Sequence, residues 1–189
     1  MNWNEHSRYE GQHSLFSPSQ PSWLNYDKEK LINVCKNMEA KKRGTELHNF
    51  AAQCIKLGQR LPKRPVTTLS LYVNDAIKLQ MRPEQVLFYS NYFFGTADAI
   101  VFDERKGFLR IHDLKTGSHP GKMEQLRIYD ALFCLEYGMN PSEIDHELRI
   151  YQFDKAVVDT PDADEIHRII ETILIFDETL QELEEEMRP

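Results

Sequence analysis

The sequence predicts a mixed α/β (α+β) domain, and three observations carry that expectation. Apolar residues recurring at three- and four-residue spacing in 38–57, 122–137 and 161–189 mark amphipathic helices. Aromatic and branched residues concentrated in 86–94, 97–102 and 108–114 mark a three-stranded antiparallel meander. A fourth strand-like run at 148–153 follows only after a helix, so the order is helix, meander, helix, strand, helix. At 189 residues the chain suits one domain with its own core. It is read as an N-terminal arm and helix (1–37), a core (38–158) and a C-terminal acidic amphipathic helix (159–189).

Residues 1–26 place Trp3, Tyr9, Phe16, Trp23 and Tyr26 among Ser, Pro, Asn and His, which predicts an irregular arm whose aromatics dock on the body. Ser17-Pro18-Ser19 is a turn or helix-entry signal. Asp27 is an N-cap for a helix running towards Met38, and a second helix is expected over 38–57, with Leu47, Phe50, Ala51, Cys54 and Ile55 on its apolar face and His48 at the edge of that face. Pro62 and Pro65 mark a basic connector, and 69–80 reads as a short helix ending near Pro83. Gly95 is expected to break the first strand from the second. Residues 103–107 form the next hairpin turn, and residues 116–121 are a turn cluster ahead of a helix over 122–137 that Gly138 stops. Residues 156–158 extend or pair with the strand at 148–153. The final helix carries Ile166, Ile169, Ile170, Ile173, Phe176, Leu180 and Leu183, with an acidic outer face.

Composition excludes several classes of function. No apolar run approaches the ~20 residues of a membrane-spanning helix. The start of the chain has no basic and then apolar segment, so no secretory signal is expected and a cytoplasmic setting follows. Cys35, Cys54 and Cys134 are widely separated and read as small hydrophobes within helices, neither a zinc knuckle nor a disulfide framework. The net charge of -7 would repel a polyanion, but its distribution is uneven. Residues 161–189 hold ten acidic residues against Arg168 and Arg188, a balance of -8, so the preceding 160 residues balance at +1. Their basic residues cluster at Lys41-Lys-Arg43, Arg60, Lys63-Arg64 and Arg105-Lys106, leaving room for a local basic surface.

The chemistry-bearing stretch is Gly95-Thr-Ala-Asp98 followed, after the hairpin, by Asp113-Leu-Lys115-Thr-Gly117. An acid-x-Lys triplet is cheap, arising every ~100 to 200 residues by composition. Three occur here, at Glu39-Ala-Lys41, Glu104-Arg-Lys106 and Asp113-Leu-Lys115, and only the last ends a strand beside another strand carrying an acid. The two-residue period aligns Asp113 and Lys115 with Leu109 and Ile111, so an acid and an amine continue an apolar row. Partial desolvation of that kind calls for a metal or an ion pair. On the following helix Gln125 and Tyr129, four apart, share a face.

Four segments in this order resemble the PD-(D/E)xK nucleases, and within them the RecB-like exonuclease branch that includes CRISPR-associated and phage-encoded enzymes: Gly44-Thr-Glu-Leu-His48, Gly95-Thr-Ala-Asp98, Asp113-Leu-Lys115-Thr-Gly117 and Gln125-Leu-Arg-Ile-Tyr129. The resemblance covers about residues 40–153, and the arm at 16–26 looks most like small phage-encoded members. It implies a restriction-endonuclease-like core. It also implies Mg²⁺ or Mn²⁺ held by His48, Asp98, Asp113 and the backbone carbonyl of Leu114. Lys115 would orient or activate water and offset transition-state charge, with Gln125 and Tyr129 positioning the water, Lys115 or a phosphate. Lys122 and Arg127 are candidate phosphate contacts, and Glu84 resembles an acidic position upstream of the Gly-x-x-Asp strand. Some family members hold an iron-sulfur cluster on four cysteines. No cysteine follows Cys134, so a cluster-free member is expected.

The implied activity is hydrolysis of DNA phosphodiester bonds to 5′-phosphate products, exonucleolytic rather than endonucleolytic, in phage recombination or DNA processing. The implied partner is DNA at linear ends or as single strands. No membrane partner is expected, and a homo-oligomer or a recombination or replication protein would supply processivity. The competing expectation, from another class, is a nucleic-acid- or protein-binding module that keeps the fold without turnover.

Overall fold

A computed structural model describes residues 7–9 and 14–187, so Trp3 lies outside the described residues. Residues 1–43 and 44–189 form two compact units. In the first, short 3-10 turns at Ser7–Tyr9 and Pro21–Asn25 precede a helix, α1 (Lys28–Lys56), that runs on into the second. The Asp27 carboxylate caps it, accepting from the Lys30 amide at 2.7 Å. Phe16 and Trp23 meet edge to face with ring centroids 6.0 Å apart, and the Trp23 indole N–H donates to the Ser17 carbonyl at 3.1 Å.

The second unit has the predicted order. After the latter part of α1 come α2 (Thr68–Lys78), β1 (Arg82–Phe88), β2 (Phe94–Asp103), β3 (Phe108–Leu114), α3 (Glu124–Tyr137), β4 (Asp145–Gln152), β5 (Lys155–Asp159) and α4 (Ala163–Glu186). Among the described residues this is four α-helices and one five-stranded sheet of order β1-β2-β3-β4-β5. Neighbours are antiparallel except β3 and β4, which are parallel because α3 carries the chain back across the sheet. The carboxyl ends of β3 and β4 therefore lie side by side, and the Lys115 amide donates to the Tyr151 carbonyl at 2.9 Å.

Strand alternation sends residues to two cores. Leu109 and Ile111 join Leu126, Leu132 and Phe133 of α3 and Ile166 and Ile173 of α4. Leu114, Ala99 and Tyr151 join Ala51, Cys54 and Ile55 of α1 and Tyr72, Val73 and Ala76 of α2. Each fully buried Leu, Ile or Val contributes about 1.5–3 kcal/mol. Threonine at the start of α2 sets its entry: the Thr67 hydroxyl accepts from the Ser70 amide, and the Ser70 hydroxyl from the Thr67 amide, both at 3.1 Å. Gly138 ends α3 with φ of 63°, the left-handed turn that favours glycine. No helix of the described residues is long and apolar enough to cross a membrane.

Several expectations are corrected. The two helices expected over 27–57 are one, and Gly44 lies inside it, where an added Cβ would sit 3.0 Å from the Thr116 hydroxyl. Phe50 is exposed, and so is Cys35. The first strand begins four residues earlier than expected, at Arg82, and the chain turns at residues 89–93, where Ser90 and Phe93 exchange backbone hydrogen bonds. Gly95 lies inside β2 and makes no break there; a Cβ at this position would meet the Tyr129 ring at 2.9 Å. Asp177, read as part of the acidic outer face, is buried and accepts hydrogen bonds from the Ser90 hydroxyl and, at 2.6 Å, from the Gln181 amide. Phe176 and Leu183, placed on the apolar stripe, are exposed.

Beneath α3 lies a buried pair that periodicity did not single out. His146 Nδ1 is 2.8 Å from Asp130 Oδ2, and Nε2 is 3.0 Å from the Pro141 carbonyl. A carbonyl only accepts, so Nε2 carries a hydrogen, and a second proton is held between Nδ1 and the carboxylate. Burial works against a charged ring, but the hydrogen bond and charge of Asp130 outweigh it and hold the imidazole above its usual 6.5. A proton retained by the folded state beyond 6.5 makes stability complete below that pH and progressively lost as pH rises through the raised value. The urea midpoint is therefore expected to fall between pH 6 and pH 9. His146→Gln should be less stable at pH 6 and lose less between pH 6 and pH 9 than the wild type, the remaining fall coming from His48, whose pKa is also raised; an equal fall in the two proteins would disprove the pairing.

Candidate metal centre

The site forms where β2 and β3 part. Their ladder runs from Asp103 opposite Phe108 to Ala99 opposite His112. Beyond it, the Leu114 amide donates to the side chain of Asp98, at 2.8 Å from Oδ2. Asp98 thus replaces a backbone acceptor, and its carboxylate is fixed at the fork. His48 reaches the same oxygen from α1, with Nδ1 at 3.4 Å, half-buried beside it. The hydrogen bond to Asp98 raises the His48 pKa above 6.5 against the opposing effect of burial.

Glu84 faces Asp98 from β1. Pro83 pairs with Ala99 and Gln85 with Ala97, so the register sets the two acids opposite each other. Like charges in this relation are destabilising. Glu84 also has φ of 53°, a left-handed conformation rare for a side-chain-bearing residue and costing about 1–3 kcal/mol. Partial burial and the neighbouring Asp98 push its carboxyl pKa up. One ligand atom from each of His48, Glu84 and Asp98 lies within 4.8 Å of the others, the group among the described residues whose donors converge in this way. Two carboxylates and an imidazole are a donor set for Mg²⁺ or Mn²⁺, the imidazole suiting Mn²⁺ at least as well. A cation between them would relieve the repulsion that the register imposes.

Asp113 belongs to an adjoining group. Its side chain is 4% exposed, and Lys115 Nζ lies 3.1 Å from both oxygens, with hydrogen-bonding geometry only towards Oδ1. Oδ2 is left as a buried acceptor without a hydrogen bond. Burial first, then the charge of Asp98, push the Asp113 carboxyl up to about 6 against the pull of Lys115. The ammonium of Lys115 also donates to Gln125 Oε1 at 2.7 Å, and Gln125 Nε2 lies 3.4 Å from the Tyr129 hydroxyl. The chain Asp113, Lys115, Gln125, Tyr129 therefore runs from the end of β3 onto α3.

The residues singled out by sequence divide accordingly. His48 and Asp98 converge with Glu84; Asp113, Lys115, Gln125 and Tyr129 make the second group; Leu114 supplies its amide to Asp98. Glu84 entered the sequence reading only as a resembling position, since a positive φ in a strand leaves no sequence trace. Of the candidate phosphate contacts, Lys122 is exposed, whereas Arg127 is committed elsewhere. The Arg127 guanidinium donates to Asp159 at 2.8 and 3.1 Å and lies 3.7 Å from Glu165, tying α3 to the end of β5 and to α4. No family model, curated protein or solved structure matches the chain.

Glu84→Gln removes one of the opposed carboxylates. In metal-free protein it is expected to leave stability unchanged or raise it by up to ~1 kcal/mol, since Glu84 is exposed. In Mn²⁺ it should shrink the stabilisation by about 1.4 kcal/mol for each tenfold loss of affinity. Thermal melts in EDTA and in Mn²⁺ measure both, and an unchanged Mn²⁺ shift would remove Glu84 from the site.

Proposed function

We propose that this chain is a divalent-metal-dependent deoxyribonuclease, of the RecB-like PD-(D/E)xK kind with a restriction-endonuclease-like core, acting from DNA ends. The observation that carries the reading is the meeting of two groups at one end of the sheet: a His48, Glu84 and Asp98 donor set, and a buried Asp113 bridged to Lys115. An isolated surface ion pair would give the second without the first. A binder of DNA would need neither opposed carboxylates nor a buried acid.

His48, Glu84 and Asp98 would hold Mg²⁺ or Mn²⁺, adjoined by Asp113 Oδ2, which is ion-paired with Lys115 but accepts no hydrogen bond. Bound there, the ion supplies Lewis-acid stabilisation of charge on the phosphate and acidifies water. Lys115 does the rest of the electrostatic work. Its ammonium is fixed by Asp113 and by Gln125, so it presents a positive charge without needing to reorganise as charge grows on phosphorus. Gln125 in turn is steadied by Tyr129, and Gly95 leaves that ring its space. The acidic residues of α4 are on the opposite face of the sheet from α1 and α2, so the high negative charge of the C-terminal segment does not sit in the donor set. The setting proposed is the cytoplasm of a bacterial host, with 5′-phosphate products released in recombination or DNA processing.

Linear DNA labelled at either end, incubated with Mg²⁺, Mn²⁺ or EDTA, tests this. Cleavage is expected with metal only. Lys115→Ala, which removes a preorganised charge, should lower the turnover rate by about 10²–10³. Asp113→Ala should do at least as much, with folding verified by circular dichroism. Cleavage indifferent to both substitutions, or none with any metal, would overturn the assignment.

A further inference from the structure

Beside Lys115, on the α2 side, is a cleft of about 470 Å³ that the chemistry above leaves unused. Its walls are Leu47 of α1, the start of α2 at residues 67–69, the segment 114–118 after β3, and the β4–β5 turn at residues 152–154. The turn is the informative wall. Gln152 pairs with Lys155, so Phe153 and Asp154 are the two central residues of the hairpin, and their φ values are 53° and 56°. Such turns belong to Asn and Gly; a bulky aromatic there is an outlier, and outliers of this kind concentrate where a site requires them. Little burial offsets that cost, for Phe153 remains 54% exposed.

The surroundings hold this turn firmly in place. Asp154 accepts from the Thr68 amide at 2.7 Å and from its hydroxyl at 3.0 Å, while the Asp154 amide donates to the Thr68 hydroxyl at 2.8 Å. The preceding residue, Gln152, is buried and fixes the facing wall. Its Nε2 donates to the carbonyls of Gly117 and His119 at 2.7 and 2.8 Å, and its Oε1 accepts from the Gly121 amide at 2.9 Å. The cleft is thus hydrogen-bonded on both sides, opens at a strained aromatic, and shares Leu114 and Lys115 with the candidate centre.

We propose that this cleft receives an unpaired base of the DNA strand being cut, stacked on Phe153, so that the substrate is single-stranded DNA or a frayed end. The inference rests on the nuclease reading for the identity of the ligand. Every base has a face to offer an aromatic ring, and a base inside a duplex does not, which makes stacking a selector for unpaired nucleotides without sequence preference. Leu47 and Leu69, both part-exposed, supply apolar contact, and Thr67, Thr116 and Ser118 supply hydroxyls for the base edge and sugar.

The experiment uses the full chain in EDTA, which prevents turnover, and a single-stranded oligonucleotide with 2-aminopurine near its end. Binding is expected to quench the fluorophore, and a blunt duplex of the same sequence should bind more weakly. Phe153→Asn, comfortable in the left-handed turn, should abolish the quench and weaken binding roughly 5- to 100-fold, while Phe153→Trp restores both. Wild-type quench and affinity in Phe153→Asn, or equal affinity for the blunt duplex, would overturn the proposal. Cleavage in Mn²⁺ is read separately on the same proteins. Cleavage with Phe153-independent binding sinks the stacking site alone, whereas Phe153-dependent quenching without cleavage under any metal sinks the nuclease reading and leaves the site standing.

Discussion

The hydrogen bond from the Leu114 amide to the Asp98 carboxylate is the constraint on which the site depends. A β-ladder that continued past Ala99 and His112 would pair this amide with a backbone carbonyl and keep β2 and β3 together. A side-chain acceptor instead ends the pairing, satisfies a donor that would be costly to bury unpaired, and leaves a fork at the sheet's end. His48 and Glu84 are then brought to the same carboxylate from α1 and β1, and Asp113, one residue before Leu114, is directed to the other side of β3 where α3 presents Gln125.

Several unfavourable terms are gathered within this small volume. Two acids oppose each other across β1 and β2, a glutamate occupies left-handed backbone space, and Asp113 is almost wholly removed from water. Lys115 offsets the last, but not the first two. Two other buried acids are fully partnered, Asp130 by His146 and Cys134 and Asp177 by Ser90 and Gln181. The contrast separates structural acids, whose oxygens all have partners, from the candidate centre, where Asp113 Oδ2 has no hydrogen bond and Glu84 and Asp98 repel. A divalent cation supplies what those acids lack, which is why the donor set is read as a metal site rather than as a polar core.

Sequence patterning made the sheet and helices of the second unit legible because each has an apolar face: Leu109 and Ile111 alternate, and Ile166 and Ile173 are seven apart. It misplaced features that depend on contacts rather than on period. Residues 39–46 of α1 carry no large apolar side chain, so the continuity of the helix through Gly44 has no sequence signal. Ser90 and Asn91 were submerged in an aromatic run, which moved the first turn to Gly95; the true need for glycine there is the Tyr129 ring. Asp130 and Asp177 had a signal that was available, since Leu126, Asp130 and Cys134 are spaced by four and Ile173 and Asp177 likewise. An acid on a buried stripe announces a buried partner. His48, Asp98, Asp113 and Lys115 carry a sequence signal, an acid-x-Lys triplet at a strand end with a second acid on the neighbouring strand and a histidine at the edge of a helix face. Glu84 carries no such signal, because its place beside Asp98 comes from register and backbone conformation.

The parallel pairing of β3 and β4 brings the candidate centre and the cleft to one end of the sheet. Because α3 returns the chain across the sheet, the residues that follow both strands emerge at one end: Lys115 after β3, and Gln152 with Phe153 at the end of β4. An antiparallel fourth strand would send that turn to the opposite end, away from Asp98 and Asp113. The same crossover carries Gln125 and Tyr129 to Lys115 on one face, while the β4–β5 turn builds the cleft on the other. Lys115 therefore stands between a hydrogen-bonded chain that fixes its charge and a cleft with hydrogen-bonded walls. The topology, more than any single side chain, decides that this charge and this cleft meet at one position.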